Sequence, residues 1–122
     1  MAGGHTVVAV PGAQHVTVEI DGRVVAASDS PVLVHETGMP VRYYLPPQDV
    51  ALELFEPTDT STHCPFKGDA SYWSYRGGDG AVKADVVWAY PDPRPGVEAI
   101  KDHLCFYDTE ARIVVEAPAG EG

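Results

Sequence analysis

The chain is short of positive charge: eight Lys and Arg stand against 18 Asp and Glu in 122 residues, a formal net charge of -10. Such a chain repels phosphate backbones at long range, so sequence-independent nucleic-acid binding is disfavoured, as is adsorption to an anionic membrane. Long apolar runs are also missing. No stretch approaches the ~20 residues of a membrane helix. The opening Met1-Ala2-Gly3-Gly4-His5-Thr6 has neither the basic flank nor the apolar core of a signal peptide. A cytoplasmic location is therefore expected, with no nucleic-acid or membrane partner. Only two cysteines occur. In that compartment Cys64 and Cys105 are expected as reduced thiols, although sequence leaves one disulfide between them open. Phosphate-cradling loops and the nucleophile elbow are absent: no G-x-x-x-x-G-K-[ST], no G-x-G-x-x-G opening a helix, no G-x-S-x-G. Nor is there a C-x-x-C or H-x-x-x-H. Cys64, Cys105, His35, His63 and His103 thus lack the spacing of a zinc knuckle or ribbon, and neither metal nor cofactor is expected.

What remains is the signature of a β-rich domain. The length suits one domain that buries roughly two thirds of its unfolded surface, and the 44% hydrophobic share is that of a globular chain. Val16, Val18 and Ile20 alternate with His15, Thr17 and Glu19, marking a half-buried strand. Asp21-Gly22 is a type I′ hairpin signal, and Arg23–Ala27 is the return strand. Further strands are expected over Val32–Glu36, Val41–Leu45, Val50–Leu54, Ala70–Tyr75, Val82–Tyr90, Cys105–Tyr107 and Arg112–Val115, with turns at the Gly and Pro clusters between them. Gly77-Gly78-Asp79-Gly80 is expected as a tight connection. Residues 1–13 read as an irregular lead-in, 14–117 as one β-rich domain, and 118–122 as a flexible tail. Glu56–Asp69, without periodicity, reads as a long loop. Pro95 followed by Val97, Ile100 and Leu104 on one face predicts a short helix over residues 95–103. The class is all-β with that one helix, in two packed antiparallel sheets.

The chemistry concentrates in Thr62-His63-Cys64-Pro65-Phe66-Lys67-Gly68-Asp69, which sets a thiol, an imidazole, an amine and a carboxylate on one segment. A thiol acts as nucleophile only as thiolate, which a nearby cation or base promotes; Lys67, His35 or His63 would serve. The plain alternative for Cys64 is a small buried thiol in a structural turn. Arg42 and Tyr44 share one strand face, and Arg42 can fork onto a carboxylate or phosphate. Its alternative is an edge-strand cation beside core tyrosines. Tyr72, Trp73, Tyr75, Trp88 and Tyr90 lie on consecutive strands, with Trp88 and Tyr90 on the face of Val82 and Val86. Packing or pocket-lining would each explain them.

Three segments in order, Glu36-Thr37-Gly38-Met39-Pro40-Val41-Arg42-Tyr43-Tyr44-Leu45-Pro46, Thr62–Trp73 and Trp88-Ala89-Tyr90-Pro91-Asp92-Pro93, resemble the bacterial family known as domain of unknown function 427. The resemblance runs from about residue 15 to 108. It implies two antiparallel sheets leaning together like a tent over a pocket, bordered by the Cys-Pro-Phe-Lys-Gly segment and the Arg-Tyr-Tyr strand. The family also carries a nucleotidyltransferase-like label. That activity is not carried over, because the chain lacks a G-S motif followed by paired metal-binding carboxylates. With the resemblance, the expected site comprises Cys64 and Lys67 as reactive or polarising groups, Glu36 as proton acceptor, Arg42 as anion clamp, and Tyr44, Tyr72 and Trp88 as pocket walls. The leading expectation is an enzyme acting on a small anionic or polar metabolite. A non-catalytic small-ligand module and a protein–protein adaptor bearing exposed Trp73 and Tyr75 are the alternatives, and a homodimer is compatible with all three.

Overall fold

Ten strands dominate the computed structural model, which describes residues 4–78 and 80–118. The strands are β1 (Val7–Pro11), β2 (His15–Ile20), β3 (Arg23–Ser28), β4 (Val32–Glu36), β5 (Arg42–Tyr44), β6 (Phe55–Cys64), β7 (Gly68–Arg76), β8 (Val82–Ala89), β9 (Cys105–Phe106) and β10 (Arg112–Glu116). The class is all-β, as expected, but the strands form three antiparallel sheets rather than two. Their orders are β1-β4-β5, β10-β2-β3 and β6-β7-β8-β9.

The four-stranded sheet is central and has both faces covered. One face meets β2 and β3 through Val16, Val18, Ile20, Val25, Phe55, Tyr75, Val87 and Phe106, an almost wholly apolar cluster. The other meets β4 and β5 through Val32, Val34, Tyr44, Ala70, Tyr72, Trp88, Tyr90 and Cys105. Asp21 and Gly22 hold φ of 51° and 81° between paired Ile20 and Arg23, the two positive values a type I′ turn requires.

Several expectations are corrected. The lead-in contains β1, which pairs with β4. Its run of small apolar residues hides the alternation, because Val8 and Val10 stay exposed while Val7 and Ala9 pack inward. Val50 to Leu54 is not a strand: Val50 makes one bridge to Ala26, and a single 3-10 turn follows at Leu52–Leu54. The 95–103 helix shrinks to one 3-10 turn, Glu98–Ile100. Left-handed Gly96 (φ 100°) and Asp102 (φ 59°) bracket it, and Val97 and Ile100 are its buried anchors. The long loop at 56–69 is mostly β6. Neither side of β6 buries much, so its Thr and Ser residues show no period. Their hydroxyls are used instead: Thr58 and Thr60 each donate to the Asp85 carboxylate at 2.7 Å.

Asp85 also explains a misread phase. It sits at φ 54° in a bulge of β8, where the pairing shifts between Trp73–Val87 and Tyr75–Lys83. Past the bulge Val86 and Val87 enter the apolar cluster, while Trp88 and Tyr90 enter the tyrosine-rich one. Trp88 and Val86 therefore do not share a face. Met1–Gly3, the middle of the 77–80 connection at Asp79, and residues 119–122 of the expected tail lie outside the described residues. No helix among the described residues is long and apolar enough to cross a membrane.

Candidate functional site

Where the central sheet faces β4 and β5, the tyrosine-rich packing leaves a cavity of about 170 Å³. Its walls come from four places. β4 and β5 give Val34, Glu36, Arg42 and Tyr44; the turn between them gives Met39 and Pro40; the β6–β7 turn gives Lys67; Tyr72, Trp88, Tyr90 and Tyr107 come from the central sheet and its flanks. Period-two geometry delivers the first group: Val34 and Glu36 stand two apart on β4, Arg42 and Tyr44 two apart on β5, and Val34 pairs with Arg42, so all four point to one side. Six of the seven residues expected from sequence, Glu36, Lys67, Arg42, Tyr44, Tyr72 and Trp88, meet on this cavity.

Cys64 does not. It is half-buried against the tyrosine-rich cluster and is not part of the cavity lining. Both cysteines are free. Cys105 is fully enclosed, and burial pushes its thiol up to about 12 although Arg42 pulls the other way. It is no thiolate at neutral pH.

Polar contacts order the walls. Lys67 Nζ donates to Glu36 Oε1 at 2.5 Å, with side chains only 12% and 17% exposed. Burial alone would raise the Glu36 pKa; hydrogen bonds from Lys67 and His5 more than offset it and hold it below 4.5. Glu36 is therefore an ionised carboxylate at neutral pH and a weak base. The Arg42 guanidinium lies over the Trp88 ring, 5.4 Å from its centroid, and has no carboxylate partner among the described residues. Trp88 Nε1–H donates to Tyr44 Oη at 3.1 Å. Tyr72 shares a 2.9 Å hydrogen bond with Thr62. Tyr107 packs on Trp88 at 4.4 Å between ring centroids. Burial drives Tyr44 and Tyr90 far above the ordinary phenol range, and burial with the Tyr72 hydrogen bond pushes Tyr107 up to about 12. The phenols thus stay neutral and offer O–H groups.

The arrangement gathers two cations and one anion in a protein whose net charge is -10. It can hold a small anion against Arg42 and surround its remainder with phenols and with the apolar side chains of Val34, Met39 and Pro40. Drug-sized ligands fill pockets of roughly 300–1,000 Å³, so this one suits a smaller molecule. Tyr107 was missed from sequence because nothing in Cys105-Phe106-Tyr107 marks a pocket. His5, which touches Glu36, was hidden in the lead-in.

A larger groove of about 660 Å³ runs between the β6–β7 hairpin and Pro91–Pro95. It holds His63, whose Nδ1 lies 2.7 Å from Asp69 Oδ1. These side chains are 66% and 76% exposed, and an open pair of this kind is weak in water. The smaller, better enclosed cavity is the stronger candidate. Among the described residues no three His, Cys, Asp or Glu side chains are gathered as metal ligands. Tyr75 is buried and Trp73 half-buried against the core, so they form no exposed aromatic patch.

No curated protein matches the chain. A family profile, described as "Domain of unknown function (DUF427)", matches residues 8–117. That match takes in all three recognisable segments, every residue of the cavity lining and all ten strands but the first residue of β1, and the chain belongs to the DUF427 family.

Proposed function

We propose that the protein binds a small, singly charged organic anion, a short-chain carboxylate by preference, in the cavity walled by Arg42, Lys67 and the tyrosines. The single observation that carries this reading is Arg42: a half-buried guanidinium stacked on Trp88 and lacking a carboxylate partner among the described residues. Lys67 is already neutralised by Glu36, so Arg42 supplies the net positive charge that a ligand would answer. A planar carboxylate matches its forked donors.

Trp88 is the natural reporter, because the chain has only two tryptophans and this one lines the site, its indole N–H bonded to Tyr44 of the same wall. Acetate, pyruvate, benzoate and inorganic phosphate are titrated while the indole resonances are followed by NMR. At least one carboxylate is expected to shift the Trp88 signal saturably, and Arg42→Gln to abolish that shift. If no probe gives a saturable shift, the reading fails.

A second reading, turnover of the bound anion, is favoured by one observation: Lys67 and Glu36 stand 2.5 Å apart on the wall, a pair able to pass a proton. Lys67→Met should then remove conversion while Cys64→Ala, outside the lining, leaves it. Mass spectrometry of the incubated ligand checks both, and an unchanged ligand leaves binding alone.

A further inference from the structure

Glu36 is held from a second side by a residue ahead of the family match. His5 precedes β1, and strand pairing sets its place: Val7 lies opposite Glu36, Thr6 N–H donates to Thr37 Oγ1 at 2.9 Å, and Thr37 N–H donates to Thr6 O at 3.0 Å. One residue further out, His5 Nε2 meets Glu36 Oε2 at 2.9 Å. Its ring also stacks on Phe66, centroids 4.4 Å apart and planes inclined by 30°. Glu36 Oε1 meanwhile holds Lys67 Nζ. Phe66 and Lys67 are neighbours in the β6–β7 turn, so His5 grips both the turn and the carboxylate that anchors its lysine.

We infer that His5 is a positioning residue, a clasp that fixes Glu36 and the Phe66 side of the turn and thereby sets where Lys67 Nζ stands on the cavity wall. A carboxylate bonded through one oxygen swings about its broad terminal torsion; one bonded through both does not. A lysine carries close to the largest side-chain entropy, so a fixed acceptor matters more for it than for a shorter side chain. The imidazole donates from Nε2 either as the imidazolium or as the neutral Nε2–H tautomer, so the grip does not depend on a single protonation state. The charges facing His5 are Glu36 from β4 and, through it, Lys67 from the turn. Only the consequence for ligand binding rests on reading the cavity as an anion site; the placement of Lys67 does not.

The test needs no ligand. The rate at which the N-hydroxysuccinimide ester of acetic acid acetylates Lys67 is measured by peptide mass spectrometry, with Lys83 and Lys101 as references in the same tube. The variants are His5→Ala, His5→Gln and Glu36→Gln, and the Glu36 carboxyl is titrated by carbon NMR in the wild type and in His5→Ala. His5→Ala should speed acetylation of Lys67 roughly two- to fivefold, the scale of a partly exposed ion pair. It should also raise the pH at which Glu36 titrates. His5→Gln, which restores a donor, should bring the rate back toward wild type. If Lys67 reacts at the wild-type rate in His5→Ala while Glu36→Gln speeds it, the clasp is overturned. A rise shared equally by Lys83 and Lys101 reports general loosening and overturns it as well. A selective rise at Lys67 with no saturable carboxylate shift at Trp88 would keep the clasp and discard the anion site.

Discussion

The central sheet buries two clusters of unlike chemistry. Against β2 and β3 it packs Val, Ile, Leu and Phe with little polar content. Against β4 and β5 it packs Tyr44, Tyr72, Trp88, Tyr90 and Cys105, whose polar atoms must find partners or face a cavity. Close-packed hydrocarbon leaves no room for a ligand. Aromatic rings with polar tips, set between a turn and a short strand, leave a hollow and line it with donors. The first cluster is where stability should concentrate, and the second is where function should.

Phe106→Ala breaks the comparison hardest. Phe106, on β9 of the central sheet, is almost fully buried in the apolar cluster, and its truncation should cost about 3–5 kcal/mol in urea unfolding. A loss under about 1 kcal/mol would show that this side is not the stabilising one. Tyr44→Phe keeps the ring and removes the hydroxyl that accepts from Trp88, leaving a buried N–H without that partner. About 1–3 kcal/mol should be lost, together with a displaced indole resonance. Arg42→Gln should change stability by no more than about 1 kcal/mol, since a guanidinium that is only half-buried contributes little through its contact with the ring, yet remove carboxylate binding entirely. That split between folding and binding is the sharpest form of the contrast.

The smallest effect is a pH dependence. Glu36 is held below its ordinary 4.5, so its ionised form is favoured by folding. The resulting stabilisation is fully present above pH 4.5 and is lost as pH falls through the lower native value. The stability gap between wild type and Glu36→Gln should therefore be constant near neutrality and narrow in acid, on the order of 1 kcal/mol or less. A gap that widens below pH 4.5 would reverse the assigned sign.

Strands that bury one face announced themselves in the sequence, and the β2–β3 hairpin is the clearest case. Val16, Val18 and Ile20 alternate, and Asp21-Gly22 closes the turn with both positive φ values. Signals failed where the pattern of residue types did not follow the pattern of burial. β6 is polar on both sides, β1 apolar on both, and the β8 bulge at Asp85 shifts the phase midway, so the period moved Trp88 to the wrong neighbours. For the site, the family segments led to Glu36, Arg42, Tyr44, Lys67, Tyr72 and Trp88, all on one cavity. They led to Cys64 too, because a thiol draws notice by residue type alone, while one-residue alternation decides whether it reaches a cavity. Tyr107 and His5 depend on tertiary contacts that no local pattern encodes.

One feature of β6 reaches beyond the single molecule. At ten residues it is the longest strand, and it forms the outer margin of the four-stranded sheet. Its unpaired amides and carbonyls would offer a template on which another chain could add, the first step toward fibrils. Pro57 removes one donor from that row, and the register shift between Pro57 and Ser61 interrupts the flat ribbon that in-register stacking requires. The segment that showed no period in the sequence thus carries its own guard against self-templating at high concentration.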